Sequence, residues 1–565
     1  MKALTHNYLL MFRYKFNALS LVMILGIVLF LHSSSHTQER FGTLPMVQTS
    51  DSTPTSVSNN VGGRSNDFRL VKKIYDRLVE ARGDSRFPVP QVFLRDEVSR
   101  VASIDYDNLE IVLELKAFNA CKPYGDAAIA FLLGHELTHY YEKHAWKSSF
   151  ASENIDLKVG KSIRTVQDQV ANETQADYLG GFLAYSAGYG MFAKGDELIR
   201  GLYKEYGIGE KLEGYPSLTD RMELARRSAQ KLESLVDVFE MANFMASIGK
   251  YPEAFEYYQY ILKHYQSREI YNNVGVNVLF QAIQLFDPKV LKFKYVVELD
   301  LESAGSRDVG AASKREELLK QAIRYFDNAI SLDPEYAPAY LNKATAYALL
   351  GDTTRAMFFA NKEAFDVATR NENSKTLIDI SILSGILMAK AGNTSGAQMM
   401  FERGVQMNSE LAKENLEILK NGYVLPIEKA PSKTAPKDAI GGFDLASILS
   451  KMSPPVILDK TVSLSNTFSF FQWDSLDCQL IYNLNHQEEV YNYFLITKPN
   501  SKSRTILDIG IGSTMAEVLK LYGEASNRIE TPQGAILVYP NLIFIIGNEN
   551  KVTKWGSYFS KKSLF

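Results

Sequence analysis

Apolar residues near the start of the chain form one continuous run rather than a periodic pattern. The run spans residues 16–31, follows the basic residues Lys2, Arg13 and Lys15, and precedes a polar stretch. A basic flank, an apolar segment and small polar residues are typical of a secretory signal, and the run is also nearly long enough for a single membrane anchor. Residues 1–37 are therefore predicted to be a signal peptide or an N-terminal membrane anchor, and the bulk of the chain to be exported.

Beyond this run, the spacing of apolar residues is helical in some segments and typical of a strand in others. Helical spacing starts near Phe68, and Leu109, Ile111, Leu113 and Leu115 then alternate with other residues, which predicts a strand. A long helix is expected to begin with Asp126 as its N-cap and to run to about Trp146. This part of the chain, residues 67–230, is predicted to be one mixed domain of helices and strands.

Small and aromatic residues repeat farther along the chain. Ala322 and Ala356 are 34 residues apart, and the pattern around them resembles the tetratricopeptide repeat, a pair of helices packed through small residues. Residues 231–422 are therefore predicted to form a helical solenoid. Residues 273–282 are expected to be the first helix of a further repeat, interrupted by an insertion near residues 296–313. An ordinary irregular helical domain is the alternative.

Two segments lack apolar periodicity and mark domain boundaries. Residues 38–66 are rich in Ser, Thr, Asn and Gly, and predict a flexible tether. Pro and Lys recur in residues 423–445, which predicts a linker. The remaining residues, 446–565, are expected to form a small α+β domain, with an amphipathic helix ending at Gly523 ahead of a hairpin, and no catalytic constellation is visible in them. The fold class is therefore mainly α with α+β parts.

Composition excludes some functions. The chain has 62 Lys and Arg against 65 Asp and Glu, a net charge of −3, so no basic field draws in nucleic acid. Its two cysteines, Cys121 and Cys478, do not make a disulfide framework.

Residues 135–139 read His-Glu-Leu-Thr-His within the predicted long helix. His135 and His139, four residues apart, lie on one face of a helix and can reach a single zinc ion. Glu136 is turned by about 100° from His135 and can serve as a base without binding the metal. His144 follows His139 by five residues, a spacing that predicts an exposed or capping histidine turned away from this face.

A third ligand is expected from the helix that begins near Glu173. Glu173 and Asp177 are again four residues apart, so their carboxylates share a face. We interpret Glu173 as the third metal ligand and Asp177 as the group that orients His135 through its other ring nitrogen. The alternative is an acidic helix start favoured by the helix dipole.

The combined pattern over residues 68–420 resembles the gluzincin metallopeptidases of the CaaX-protease/HtpX group, and specifically the exported members that carry tetratricopeptide repeats. The resemblance implies a zincin-type metallopeptidase domain at residues 67–230 and a reaction in which Glu136 is the catalytic base. It also implies one Zn²⁺ ion per chain, with the ligands His135, His139 and Glu173.

One stretch departs from that family. Its members carry a His-Pro pair with an Arg five residues after the Pro, and here Pro216 and Arg221 fit while Tyr215 replaces the His. A tyrosine hydroxyl is a poor ligand when protonated, but it can donate a hydrogen bond to a developing oxyanion. The resemblance therefore predicts catalytic roles for Tyr215 and Arg221.

These expectations together predict an exported zinc metalloendopeptidase. It would act on the periplasmic or extracytoplasmic side, on misfolded or stalled envelope proteins, with partner proteins recruited by the repeats. The strand at residues 109–113 is expected to pair with an extended peptide substrate by β-addition. The alternatives are a repeat scaffold whose zinc site is vestigial, and a chaperone-like factor in envelope protein assembly whose protease activity is weak.

Overall fold

The computed structural model describes most of the chain from residue 64 onward. The described residues are 64–96, 101–145, 147, 153, 156, 158, 169–190, 192–210, 217–287, 291–297, 311–407, 409–422, 437–451, 460–463, 468–486, 490–531, 534–547 and 549–562. The predicted leader, residues 1–37, and nearly all of the predicted tether lie outside this set, as does much of the predicted linker. Within the described residues, no helix is both long enough and apolar enough to span a bilayer.

A small sheet and several helices form the first region. Helix α1 is followed by three strands, and β3 pairs in parallel with β1 and antiparallel with β2, in the order β1-β3-β2. The bounds are α1 Arg64–Arg82, β1 Gln91–Arg95, β2 Ala102–Asp105 and β3 Glu110–Glu114. The strand predicted at residues 109–115 is confirmed, but its predicted pairing with substrate is wrong, because β3 is the central strand and both of its edges are already paired. Among the described strands, β2 is the edge that lies beside the histidine-bearing helix.

The helix that carries the two histidines is shorter than predicted. After α2, Leu115–Cys121, helix α3 spans Asp126–Tyr141, with Gly125 rather than Asp126 at the N-cap position. Gly125 has a φ of 78°, a conformation that glycine adopts without a steric penalty, and Asp126 instead lies in the first turn. Lys143, with a φ of 56°, interrupts helical geometry before Trp146 is reached.

Among the described residues, three further helices of ten residues or more lead from this region into the repeats. They are α4, Gln169–Ala184, α5, Gly195–Glu205, and the long α6, Leu218–Ser247. Ser217 caps α6 by accepting a hydrogen bond from the backbone N–H of Asp220. Helix α6 packs on α4 and on the next helix in the chain. It therefore connects the mixed region to the helical array.

Helices then follow one another along the chain, and the two that flank the π-helical turn Phe359–Ala364 form one continuous helix. Their bounds are α7 Tyr251–Leu262, α8 Arg268–Gln284, α9 Ala311–Leu332, α10 Ala337–Leu349, α11 Thr353–Phe358, α12 Phe365–Arg370, α13 Ser374–Lys390, α14 Thr394–Gln406 and α15 Glu410–Asn421. Two pairs share one contact: a Cβ on Gly275 would lie 2.6 Å from the ring of Phe326, and one on Gly385 would lie 2.6 Å from that of Phe401. Small residues therefore allow the close packing that the repeat pattern predicted.

The C-terminal region is an antiparallel sheet of eight strands. The sheet has the order β4-β5-β6-β7-β11-β10-β9-β8. Its strands are β4 Lys460–Ser463, β5 Phe468–Asp474, β6 Cys478–Asn485, β7 Val490–Thr497, β8 Asn527–Thr531, β9 Gly534–Tyr539, β10 Leu542–Gly547 and β11 Val552–Lys562. The predicted helix and hairpin are confirmed, because helix α17, Met515–Tyr522, ends at Gly523 and β9 and β10 form the hairpin.

Both faces of this sheet are buried, which explains its apolar strands. Ile536 and Val538 belong to the large core shared with the helices, whereas Leu537 and Tyr539 belong to a second core. The second core also contains Val518 of α17 and residues of the short helix α16, Leu445–Lys451. Alternate side chains thus reach different layers, so a strand buried on both sides has no polar face.

The two cysteines are free and buried in different regions. Cys121 ends α2, and Cys478 begins β6. Burial raises the pKa of the Cys121 thiol to about 12. This unreactive state accords with a structural role for Cys121.

Candidate metal centre

Two glycines bring the helices of the candidate site into contact. A Cβ on Gly134 would lie 2.6 Å from the carbonyl oxygen of Gly180, and one on Gly180 would lie 2.6 Å from backbone atoms of α3. Since no side chain separates the helices there, α3 and α4 cross at backbone contact. His135 follows Gly134 directly, and Glu173 and Asp177 precede Gly180 on α4. The close crossing therefore places the imidazoles of one helix opposite the carboxylates of the other.

Three of these side chains converge on one point. The Nε2 atoms of His135 and His139 are 3.1 Å apart, and the carboxylate oxygens of Glu173 lie 3.5 Å and 3.6 Å from those two nitrogens, respectively. The ligand atoms of the three residues all lie within 4.8 Å of one another. A tetrahedral zinc ion with bonds of about 2.0 Å separates its ligands by roughly 3.3 Å. The spacing of these donors therefore fits a zinc ion.

The surroundings of Glu173 also fit a bound cation. The side chain is buried, and among the described residues its Oε2 atom accepts no hydrogen bond. A buried carboxylate oxygen without such a partner is costly unless a positive charge lies close by. The nearest described cation is Arg221, whose guanidinium lies 3.3 Å from this oxygen.

Asp177 lies where it can orient His135. Its Oδ1 atom is 2.8 Å from Nδ1 of His135, and its other oxygen lies 3.9 Å from the guanidinium of Arg221. Burial alone would raise the pKa of Asp177, but Arg221 and His135 lower it below its usual range. An ionised Asp177 accepts a hydrogen bond from the Nδ1–H group of His135. The lone pair of His135 then lies on Nε2, which faces His139 and Glu173.

The neighbouring carboxylates also favour a positive charge on the ring of His135 itself. Burial opposes a charge on the ring, yet the carboxylates of Asp177 and Glu173 raise the pKa of His135 to about 10. Burial and the neighbouring charge of His135 lower the pKa of His139. A metal ion competes with the proton that carries this charge, so its binding would release that proton.

His139 also has a hydrogen-bond partner, His144, although the spacing of the two residues in the sequence predicts that His144 is turned away. His144 is buried, and its Nδ1 atom lies 2.8 Å from Nδ1 of His139, while its Nε2 atom lies 3.1 Å from the side-chain oxygen of Gln175. The prediction of an exposed or capping residue is therefore wrong. Because α3 ends at Tyr141 and Lys143 has a positive φ, the chain turns back and carries His144 toward His139.

The structure places two of the three residues predicted to be catalytic. Glu136 is buried on α3 beside the two histidines in sequence. Arg221 comes from the first turns of α6, and its guanidinium lies 3.3 Å from a carboxylate oxygen of Glu173 and 3.9 Å from one of Asp177, while its catalytic role stays a prediction. Tyr215 and Pro216 lie outside the described residues.

A comparison with protein families identifies the repeats. A tetratricopeptide-repeat model matches residues 325–358, which include the end of α9 and all of α10 and α11. The predicted repeat is confirmed for this stretch. The chain therefore carries a tetratricopeptide repeat at this stretch, and such repeats generally mediate protein–protein interaction.

Curated relatives also carry this repeat in their names. Tetratricopeptide repeat protein 36 of Danio rerio is 30% identical over 134 residues, which cover 24% of this chain and 65% of the relative. The protein of the same name from Xenopus tropicalis is 31% identical over 114 residues, which cover 20% of this chain and 54% of the relative. This chain thus spans less than two thirds of the length of either relative.

A solved structure titled as a human IFIT1 dimer with PPP-AAAA is also similar. The match covers 54% of this chain and 66% of that chain, with 14% identity and a TM-score of 0.27.

Proposed function

We propose that the chain is an exported zinc-dependent metalloendopeptidase whose tetratricopeptide repeats recruit substrate or partner proteins. The observation that carries the proposal is the convergence of His135, His139 and Glu173, whose ligand atoms lie within 4.8 Å of one another. Glu136, which follows the first of these ligands, supplies the carboxylate that peptide hydrolysis requires. The export of the protein and its envelope-protein substrates rest on the leader pattern and the family resemblance.

Each residue of the site has a distinct part in this proposal. A bound zinc ion would polarise the scissile carbonyl and lower the pKa of the attacking water. Glu136 takes a proton from that water and delivers it to the leaving amine. Asp177 holds His135 in the tautomer that keeps Nε2 free, and Arg221 fixes the two carboxylates on α4. These buried contacts keep the donors in place before the substrate arrives.

The first test is cleavage of casein by the purified full chain, with zinc content measured on the same sample. We expect one zinc ion per chain and cleavage that a chelator abolishes. Glu136→Gln should keep the zinc but lower the rate by about 10² to 10⁴-fold, the usual contribution of a general base. A protein that stays metal-free after zinc supplementation, or a Glu136→Gln variant with full activity, would contradict the proposal.

A second candidate is a scaffold or chaperone-like factor with little proteolysis. The matched repeat and the relatives named for that repeat favour this candidate, because they concern interaction rather than hydrolysis. Complementation of a deletion strain separates the two functions. A scaffold carrying Glu136→Gln should restore growth fully, whereas an enzyme with that change should not.

A further inference from the structure

The connection between the two helices of one repeat contains a seven-residue segment that packs on helices of later repeats. The segment Leu291–Val297 belongs to the connection between α8 and α9 and contains neither helix nor strand. It contacts α10, α13, α14 and α15, which all follow it in the chain. By contrast, only residues 391–393 join α13 to α14 in the pair with the same Gly–Phe packing. The insertion is therefore not needed to connect a helix pair.

The backbone of this segment is held by side chains rather than by another strand. The side-chain oxygen of Asn415 accepts a hydrogen bond from the N–H of Lys294 at 2.9 Å, and the side-chain amide of Asn415 donates to the carbonyl of the same residue at 2.9 Å. Thr345 Oγ1 donates to the carbonyl of Val296 at 2.8 Å. Asn415 and Thr345 are both fully buried. Because these contacts are made to backbone groups, they do not depend on which side chains the segment carries.

The side chains of the segment add an aromatic and basic pattern. The rings of Phe293 and Phe401 lie 6.1 Å apart, and the ammonium of Lys390 donates to the Tyr295 hydroxyl at 3.1 Å. The ammonium of Lys294 lies 3.0 Å from Glu414.

Beyond the second aromatic residue, two β-branched side chains are almost completely covered. Val296 is 1% exposed and Val297 is 8% exposed. The segment thus presents an aromatic, a basic and a second aromatic residue, followed by two buried valines.

We propose that Thr345, Lys390, Phe401, Glu414 and Asn415 form a peptide-binding surface and that Leu291–Val297 is its built-in occupant. The partner is an extended peptide of another protein with the same pattern: aromatic, basic, aromatic and two β-branched residues. It displaces the internal segment and takes over its backbone contacts with Asn415 and Thr345. The proposal does not depend on the zinc site, because none of these residues belongs to it.

The internal segment regulates access to this surface, because it competes with any peptide from another protein for the same contacts. A tethered segment competes at an effective concentration on the order of millimolar, so only a tighter or locally concentrated peptide replaces it. Weakening the internal segment should therefore open the surface to a peptide added in solution.

The test uses a fluorescent peptide with the sequence of residues 291–297 and the full chain carrying Glu136→Gln, so that the peptide is not cleaved. An opened variant, Phe293→Ser with Val296→Asp, should bind this peptide at least tenfold more tightly than the parent, as measured by fluorescence anisotropy. Adding Asn415→Asp, which removes the amide donor, should weaken binding by about tenfold. Asn421→Asp, the same change at an exposed position of α15, is the matched control and should leave binding unchanged.

Two control peptides and one measurement on the parent make the test decisive. A scrambled peptide and a peptide N-methylated at the lysine that corresponds to Lys294 should both bind at least tenfold more weakly. Should the opened variant fail to fold, hydrogen exchange of the Lys294 amide in the parent decides: excess peptide should accelerate it. Unchanged exchange, or equal binding of the scrambled peptide, would make the segment a permanent structural part and overturn the proposal.

Discussion

At the scale of single residues, His144 shows how a neighbouring ring can fix the tautomer of His139, a candidate metal ligand. The Nδ1 atoms of His139 and His144 are 2.8 Å apart, so one of them carries a hydrogen and the other accepts it. When Nε2 of His139 binds a cation, its Nδ1 carries that hydrogen, and Nε2 of His144 then donates to Gln175. Burial lowers the pKa of His144 to about 4, which keeps the ring neutral and able to accept. His144 is thus the counterpart of Asp177 on the other histidine.

Replacing His144 with phenylalanine keeps a buried ring but removes this acceptor. We expect zinc affinity to fall by about 10 to 100-fold, the usual effect of losing a partner behind a ligand. Competition with a chromophoric chelator measures the affinity, and the unfolding free energy of the metal-free protein shows whether the fold has changed. His144→Gln, which retains an acceptor, should recover part of the affinity, and His486→Phe at an exposed position should have no effect. Equal losses in both His144 variants would exclude a positioning role.

At the scale of elements, the crossing of α3 and α4 sets the geometry of the site. Backbone contact at Gly134 and Gly180 leaves no room for a side chain, and the nearest atoms are backbone atoms that cannot rotate away. Helix propensity disfavours glycine by about 1 kcal/mol relative to alanine. The two glycines therefore cost helix stability in return for a close crossing that brings Glu173 within reach of both histidines.

Gly180→Ala should separate the two helices and lower both stability and metal affinity. Overpacking of this kind costs about 1–3 kcal/mol of unfolding free energy, more than alanine gains in helix propensity. Urea titration of the metal-free protein measures the first effect, and chelator competition measures the second. Gly201→Ala is the control, since no atom lies within 4 Å of its added Cβ, and it should leave stability unchanged or raise it. A stable Gly180→Ala variant with normal zinc affinity would show that the close crossing is not required.

At the scale of the whole molecule, the C-terminal sheet packs on the helices that follow the candidate site. Phe494 of β7 stacks on Phe244 of α6, with ring centroids 5.4 Å apart. Lys554 of β11 forms an ion pair with Glu240 at 2.9 Å, and this charge raises the pKa of Lys554. Because α6 also carries Arg221 at its other end, one helix contacts both the candidate metal centre and the C-terminal sheet.

Phe494→Ala should destabilise this interface strongly. Removing a fully buried phenylalanine costs about 3–5 kcal/mol, and part of this loss should be shared with Phe244→Ala in a double-mutant cycle. Denaturant titration followed by tryptophan fluorescence, to which the buried Trp555 contributes, measures the change. Leu476→Ala, at a residue that is 96% exposed in the turn between β5 and β6, should alter stability by less than about 0.5 kcal/mol. Purely additive effects of the two phenylalanine changes would show that their stacking contributes nothing.

Local patterns in the sequence determined the secondary structure of several segments and the residues that share a helix face. The four-residue spacings predicted which side chains of each helix share a face, and the small and aromatic residues predicted the repeat that the family comparison confirms at residues 325–358. The glycine at position 523 and the two apolar runs beyond it predicted the helix and hairpin of the C-terminal region. These features are readable because helix and strand periods depend only on residues close together in the chain.

Only the tertiary structure decided what depends on contacts between distant segments. It made β3 a central strand, turned His144 back onto His139, and laid Leu291–Val297 over helices that come later in the chain. Spacing along one element carries no information on these arrangements, because each is fixed by packing against another element. The sequence thus determined which groups could act together, and the packing of distant helices and strands decided which of them meet.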